Sequence, residues 1–307
     1  MRLDCYGVTD VGKKRPTNQD HFLIADLTKS MQVHQSNLGI EDDQVLRGRA
    51  QAQLMIVADG MGGHAGGERA SQLAVETMAR TLLDCLPWFL EESNDQAMFT
   101  ENEERLKAAL DRCQQRIEEE GGLIPKQREM GTTMTMAFLL WPVLYTLHVG
   151  DSRAYLLRDG HLHRLTEDQT VAEKLAQMGA LDRKDVATSA FSHTLWSYLG
   201  VHKDKLTPDL ARTTMQVGDT LLLCSDGLSR YIDGPVLQRI LSQDATSEDL
   251  AHTLVNLALD AGGEDNITII VARLLDPKAT TTGQRVRISP PEADLDDTDI
   301  FFIEPQS

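Results

Sequence analysis

The 307-residue chain is 41% apolar and 25% charged, an ordinary globular balance, and long enough to bury a core without disulfides or structural zinc. Its 30 basic and 47 acidic residues leave a net charge of −17, which argues against a general nucleic-acid binder and against charge-driven docking on an anionic membrane. Four cysteines (Cys5, Cys85, Cys113, Cys224) form no CxxC pair, so zinc-ribbon and thioredoxin motifs are not expected and a reducing compartment fits. The first residues hold no apolar signal segment. The longest apolar stretch, Met134–Leu147, is broken by Thr135, Pro142 and Thr146 and is too short to span a bilayer. A soluble, cytoplasmic, monomeric protein is expected.

In chain order, His21–Asp26 reads as a short strand. The polar stretch 27–53 breaks that pattern and is expected as an exposed loop or hairpin insertion. Leu54–Ala58 is wholly apolar and stops at Asp59-Gly60, as a buried strand entering a turn does. Gly66–Leu90 repeats apolar residues at Ala70, Leu73, Ala74, Met78 and Leu82 and predicts an amphipathic helix, with a second from Glu104 to Glu120. Asp84–Glu120 holds 11 acids against 4 bases, the composition of a solvated outer face. Gly131–Val149 predicts two strands joined near Trp141-Pro142, and a third begins at Ser152. Arg158-Asp159-Gly160-His161 predicts an Asp-Gly hairpin turn.

Thr170–Met178 predicts a short helix. Asp182–Pro208 has no period and is expected as a mobile surface segment. Asp219–Cys224 is another buried strand, again followed by Asp226-Gly227. Helices are predicted over Pro235–Leu241 and Ser247–Ala261, the second capped by Thr246 or Ser247 and stopped by Gly262-Gly263. Ile267–Leu274 is the last strand. Residues 276–307, rich in Thr, Pro and Asp, predict an acidic disordered tail outside a domain of residues 1–275. Strands mostly follow strands instead of alternating with helices, which predicts an α+β fold with antiparallel sheets.

The aspartates carry the chemical signal. Asp59 and Asp226 follow apolar strands and precede glycine; Asp20 precedes a strand; Asp265 lies just before the last one; Asp151 falls between two strand-like segments. Buried carboxylates are costly unless paired or bound to metal, since two about 4 Å apart repel by roughly 4 kcal/mol at an effective dielectric near 20. If these converge, hard divalent cations, Mg2+ or Mn2+, neutralise them. Each Asp-Gly alone is an ordinary turn; their joint placement at strand ends points to metal. Gly60, Gly62, Gly63, Gly66 and Gly67 allow close backbone approach. No GxxxxGK[ST] motif or GxGxxG after a strand supports a nucleotide site. His64 in that loop reads equally as a proton donor, a positioning group or exposed filler.

Taken together, Arg15-Pro16-Thr17-Asn18-Gln19-Asp20, VADGMGGHAGGERAS (57–71), GTTMT (131–135), HVGDSRAYLLRDG (148–160), LTEDQT (165–170), CSDGL (224–228) and GGEDNITIIVARL (262–274) resemble the motifs of the metal-dependent protein phosphatases (PPM, the type 2C serine/threonine phosphatases). They stand in the family's order, and DGMGGH is similar to the bacterial branch. The resemblance implies a four-layer αββα sandwich, with two antiparallel sheets face to face and helix pairs outside. It implies hydrolysis of phosphoserine and phosphothreonine by a metal-bridging hydroxide, on proteins modified by a serine/threonine kinase in signalling. It further implies two core Mn2+ or Mg2+ ions and a third. Asp59 would bridge two ions, the Gly60 carbonyl would bind one, Asp226 and Asp265 would complete the other, and Asp20 would act through waters. Asp151 with Asp226 would hold the third ion, and Arg15 would grip the phosphate.

The chain departs from the family pattern at Gln19, where Glu is common, at Met61, where animal members carry a His, and at Gln169, often His. Met61 leaves the proton donor open among His64, a metal-bound water, or none. TLWSYLG (194–200) lacks the Arg often found there. An inactive relative acting as a binding module is the alternative, but such proteins usually lose a core Asp and Asp59, Asp151, Asp226 and Asp265 are all present. A two-metal enzyme of another class would mix in several His.

Overall fold

A computed structural model describes residues 2–34, 45–62, 65–85, 96–123, 130–200 and 206–276. The described elements all fall within one unit, Met1–Pro277. The tail expected over 276–307 lies, Asp276 aside, outside the described residues, as do residues 35–44.

Strand β1 (Arg2–Asp10) is followed by β2 (Asp20–Gln32) and β3 (Val45–Met61), then helices α1 (Ala65–Cys85) and α2 (Gln96–Leu123). Strands β4 (Gly131–Thr132), β5 (Met134–Leu140), β6 (Val143–Val149), β7 (Arg153–Arg158) and β8 (His161–Arg164) come next, then α3 (Val171–Gln177). After β9 (Leu199–Gly200), β10 (Asp209–Thr214) and β11 (Thr220–Cys224) come α4 (Asp226–Ser229), α5 (Gly234–Leu241), α6 (Ser247–Asp260) and β12 (Ile267–Leu275). One sheet runs β1-β12-β11-β7-β8; the other runs β10-β6-β5-β3-β4-β9, with β2 also on β3. Every paired strand in them is antiparallel.

Side-chain alternation explains the layers. In β3, Leu54, Ile56 and Ala58 face α1 and α2, packing with Leu73, Met78, Leu110 and Ile117. Met55 and Val57 point the other way, into a layer shared with Leu156, Leu223 and Ile270 of the opposite sheet. Leu222, Ile269 and Val271 turn outward against Leu237, Leu250 and Leu254 of α5 and α6. A strand buried on both faces needs apolar residues at every position, which is why LMIVA shows no alternation. The result is the expected αββα sandwich.

Several elements differ from expectation. Of the two forms expected for residues 27–53, the hairpin is the one seen: β2 and β3 stay paired from Leu27↔Ala52 to Gln32↔Val45, with register shifts near Thr28, so both strands run longer than expected. Strand β10 and edge strand β1 were not expected. The residues of β10 are largely exposed at a sheet edge, so burial imposes no apolar pattern on them. The 182–200 segment is irregular but carries a 3₁₀ turn at Arg183–Asp185 and strand β9. Asp159 and Gly160 adopt φ of 50° and 74°, the left-handed pair that a two-residue hairpin turn requires. Thr246 caps α6 in a reciprocal capping box with Asp249.

Candidate metal centre

The topology sends five aspartates to the place where both sheets end. Asp20 and Asp59 sit directly opposite each other on β2 and β3. Asp151 lies in the β6–β7 turn, Asp226 opens α4 after β11, and Asp265 precedes β12. Carboxylate oxygens of Asp59, Asp151 and Asp226 all lie within 4.8 Å of one another. Asp20 is only 4% exposed. Both its carboxylate oxygens, and Asp226 Oδ1, are buried without a hydrogen-bond partner. The Ser225 and Thr268 hydroxyls lie close enough to moderate Asp20's burial, but neither makes a well-formed hydrogen bond to it.

The electrostatics follow. Burial first, then Asp226 and Asp265, push Asp20 from 3.8 up to about 7. Burial and Asp226 do the same to Asp151, against the pull of Arg230. Asp59 as a residue keeps some exposure, but its carboxylate end is desolvated. That, with repulsion from Asp20, Asp226, Asp151 and Asp265, raises it well above the usual range. Asp226 is raised by burial while Arg230 opposes the rise. Like charges this close in a poorly solvated pit ask for a cation. All-oxygen donors with unpartnered lone pairs suit a hard divalent ion, so the residues fit Mn2+ or Mg2+.

Hydrogen bonds and close backbone packing hold the scaffold around them. The Asp59 N–H donates to Thr133 Oγ1 at 3.0 Å, and its carbonyl accepts from Thr133 N–H and Thr132 Oγ1, both at 2.9 Å. A Cβ on Gly60 would lie 2.3 Å from the Gly67 carbonyl oxygen and 2.5 Å from that of Gln19, so only glycine lets α1 dock on the end of β3. Asn266 accepts from Gln19 N–H at 2.8 Å and donates to the Val11 and Thr17 carbonyls, both at 3.0 Å, tying the Arg15 loop to β12. Gln169 gives its departure from the family a physical account. Its Oε1 accepts from Gly150 N–H at 3.2 Å, while Nε2 donates to Asp209 at 3.0 Å, bracing the turn that carries Asp151.

Arg15 reaches the cluster's rim, half exposed, and donates to Asp265 Oδ2 at 2.7 Å. His64 lies outside the described residues. The residue that sequence reasoning missed is Arg230. It ion-pairs with Asp226 and comes within 3.5 Å of Asp151 Oδ2 and 3.9 Å of Asp265 Oδ2. The available signal was its spacing: a basic residue four positions after Asp226, at the end of a helix.

The protein-family model for protein phosphatase 2C matches residues 32–264. The chain belongs to the protein phosphatase 2C family. It is 35% identical over 227 residues to the serine/threonine protein phosphatase PstP of Mycobacterium tuberculosis, covering 74% of this chain but 41% of PstP. It thus spans less than half the length of that relative. It is 32% identical over 280 residues to the protein phosphatase PhpP of Streptococcus pneumoniae, covering 89% of this chain and 98% of PhpP. Among solved structures, the M. tuberculosis phosphatase PstP/Ppp superposes with a TM-score of 0.70 at 30% identity, over 89% of this chain and 99% of that one. The PstP catalytic domain in complex with two manganese ions gives 0.67 at 31% identity, again over 89% and 99%. Among the described residues, no helix is long and apolar enough to cross a membrane.

Proposed function

We propose that this chain is a metal-dependent serine/threonine protein phosphatase, using Mn2+ or Mg2+ to hydrolyse phosphoserine and phosphothreonine in proteins. The observation that carries this reading is the converging trio Asp59, Asp151 and Asp226, with the unpartnered Asp20 beside it. Such ions, when bound, supply Lewis acidity toward the phosphoryl oxygens and acidify water. In this reading Asp59, the Gly60 carbonyl, Asp226 and Asp265 hold two ions, with Asp20 acting through waters. Asp151 and Asp226 hold a third. Arg15 leaves Asp265 to grip the substrate phosphate, where its planar fork suits two oxygens at once. His64 is the proposed donor of a proton to the departing serine or threonine oxygen.

Residues 1–275 form the catalytic domain of this reading, and 276–307 an acidic tail outside it. The substrates are cytoplasmic proteins phosphorylated by a serine/threonine kinase, and the enzyme acts as a monomer. Retention of all five aspartates leaves the inactive alternative without support. The test is p-nitrophenyl phosphate turnover in Mn2+, with chelation and Asp226→Asn as controls, beside the bis-(p-nitrophenyl) diester. Monoester hydrolysis that needs both metal and Asp226 is expected. A folded, Mn2+-binding protein without turnover, or one preferring the diester, would overturn the reading.

A further inference from the structure

Arg230 caps the C-terminal end of α4, its backbone N–H donating to the Asp226 carbonyl at 3.0 Å. The helix turn therefore fixes its Cα one turn from the carboxylate it pairs with. A single guanidinium nitrogen, Nη2, pairs with Oδ2 of both Asp226 and Asp151. That is where a cation shared by these two carboxylates would sit. Asp226 is thereby divided: Oδ2 is taken by arginine, while Oδ1 stays buried and unpartnered. Arginine does not lose its proton in proteins, so the guanidinium is a permanent charge. Its side chain is 27% exposed, on a long stem that can swing outward.

We propose that Arg230 is a tethered counter-cation that competes with a divalent ion for the Asp151–Asp226 corner of the centre. This inference rests on the metal-dependent reading above. Before metal binds, Arg230 offsets part of the repulsion among the aspartates. An ion entering that corner must displace a positive charge that already bridges both of its carboxylates, so the corner fills last. Among the described residues, Asp59 and Asp20 have no ion-pair partner, and Asp265 is held by Arg15 at the exposed rim, so no other cation bridges two of the carboxylates as closely as Arg230 does. The chain thus sets, by one side chain, the metal concentration at which its full ion complement assembles.

The test is an Mn2+ titration of the full chain followed by electron paramagnetic resonance of free Mn2+, comparing wild type, R230Q and R230K. Wild type is expected to bind two ions more tightly than a third. R230Q is expected to bind the weakest ion at least tenfold more tightly. R230K, which keeps the charge, is expected to stay within about threefold of wild type. A weakest site unchanged in R230Q, or a tenfold gain in R230K, would overturn the proposal while leaving the metal reading intact. Wild type binding no Mn2+ would overturn both. Melting supplies a second readout: metal-free R230Q should unfold several degrees below wild type and recover in saturating Mn2+, and equal metal-free melting would contradict the counter-cation role.

Discussion

Gly60→Ala tests the scaffold beneath the metal centre most directly. The added Cβ would meet the Gly67 carbonyl oxygen at 2.3 Å, its carbon at 2.5 Å and the Gln19 carbonyl oxygen at 2.5 Å. Ordinary carbon contacts begin near 3.5 Å, so α1 or the 15–19 loop must retreat by about 1 Å. All three atoms are backbone, so no side chain can rotate away. The same Gln19 carbonyl accepts hydrogen bonds from Gly60 N–H at 3.1 Å and Ser71 Oγ at 2.6 Å, and both would stretch. Overpacking costs about 1–3 kcal/mol where neighbours can adjust, and each lost hydrogen bond about 1 kcal/mol; roughly 4 kcal/mol is therefore expected. At about 2–4 °C per kcal/mol for a chain this long, the melting temperature should fall by about 8–16 °C. A shift of about 1 Å in a catalytic group can cost about a hundredfold in rate, so turnover should collapse as well. Gly122→Ala is the control. Nothing lies within 4 Å of its new Cβ, and in the last turn of α2 alanine should leave stability unchanged or raise it by less than about 0.5 kcal/mol. Thermal melts by circular dichroism, with chelator and with Mn2+, read both variants. Gly60→Ala melting within 2 °C of wild type with unaltered Mn2+ binding would refute the packing argument.

Two further predictions follow from the same cluster. Asp20 and Asp151 are raised in the folded state from 3.8 to about 7, so the stability their protonation gives is lost as pH rises through about 7. His148, lowered by burial from 6.5 to about 4, and His21 and His193, also lowered by burial, act oppositely, mostly below pH 6.5, so the aspartates dominate between pH 6.5 and 8. Metal-free melting temperature should fall across that window and flatten or rise in saturating Mn2+; a flat metal-free profile measured by differential scanning fluorimetry would contradict the burial of these carboxylates. Asn266→Ala removes the links to Gln19, Val11 and Thr17. With about 1 kcal/mol for each, urea unfolding should show a loss of about 3 kcal/mol, and a loss under 0.5 kcal/mol would show that the Arg15 loop is held by other contacts.

The sequence revealed elements wherever burial leaves no choice of residue. Leu54–Ala58, Thr220–Cys224 and Ile267–Ala272 are buried on both faces, so their largely apolar runs announce strands. It concealed β10, whose DLARTT residues face solvent at a sheet edge, and the full length of β3, whose outer half is polar. The aspartates were legible because a charge ending an apolar strand contradicts its surroundings. Arg230 was not, because α4 is a single turn with no period to read and an arginine beside an aspartate at helical spacing is commonplace on surfaces. Nor does a sequence show that Gly60 meets Gly67, since the contact depends on how α1 returns across β3.

The arrangement of Asp20 and Asp59 shows what the fold is for. Like charges directly opposite on neighbouring strands destabilise a sheet, and here both carboxylate oxygens of Asp20 are also buried without partners. Folding alone would favour the strands relaxing apart or a neutral residue at either position. Neither relief is open to this backbone. Thr132 and Thr133 clamp Asp59, Asn266 and Ser71 hold both sides of Gln19 next to Asp20, and Gln169 braces the turn before Asp151. Hydrogen bonds that carry no charge thus fix the positions of groups that repel. A pliable site would dissipate that repulsion by spreading, whereas this one keeps the part that Arg230 and protonation do not offset. The repulsion that a bound metal would relieve is therefore held in place by neutral side chains around the carboxylates.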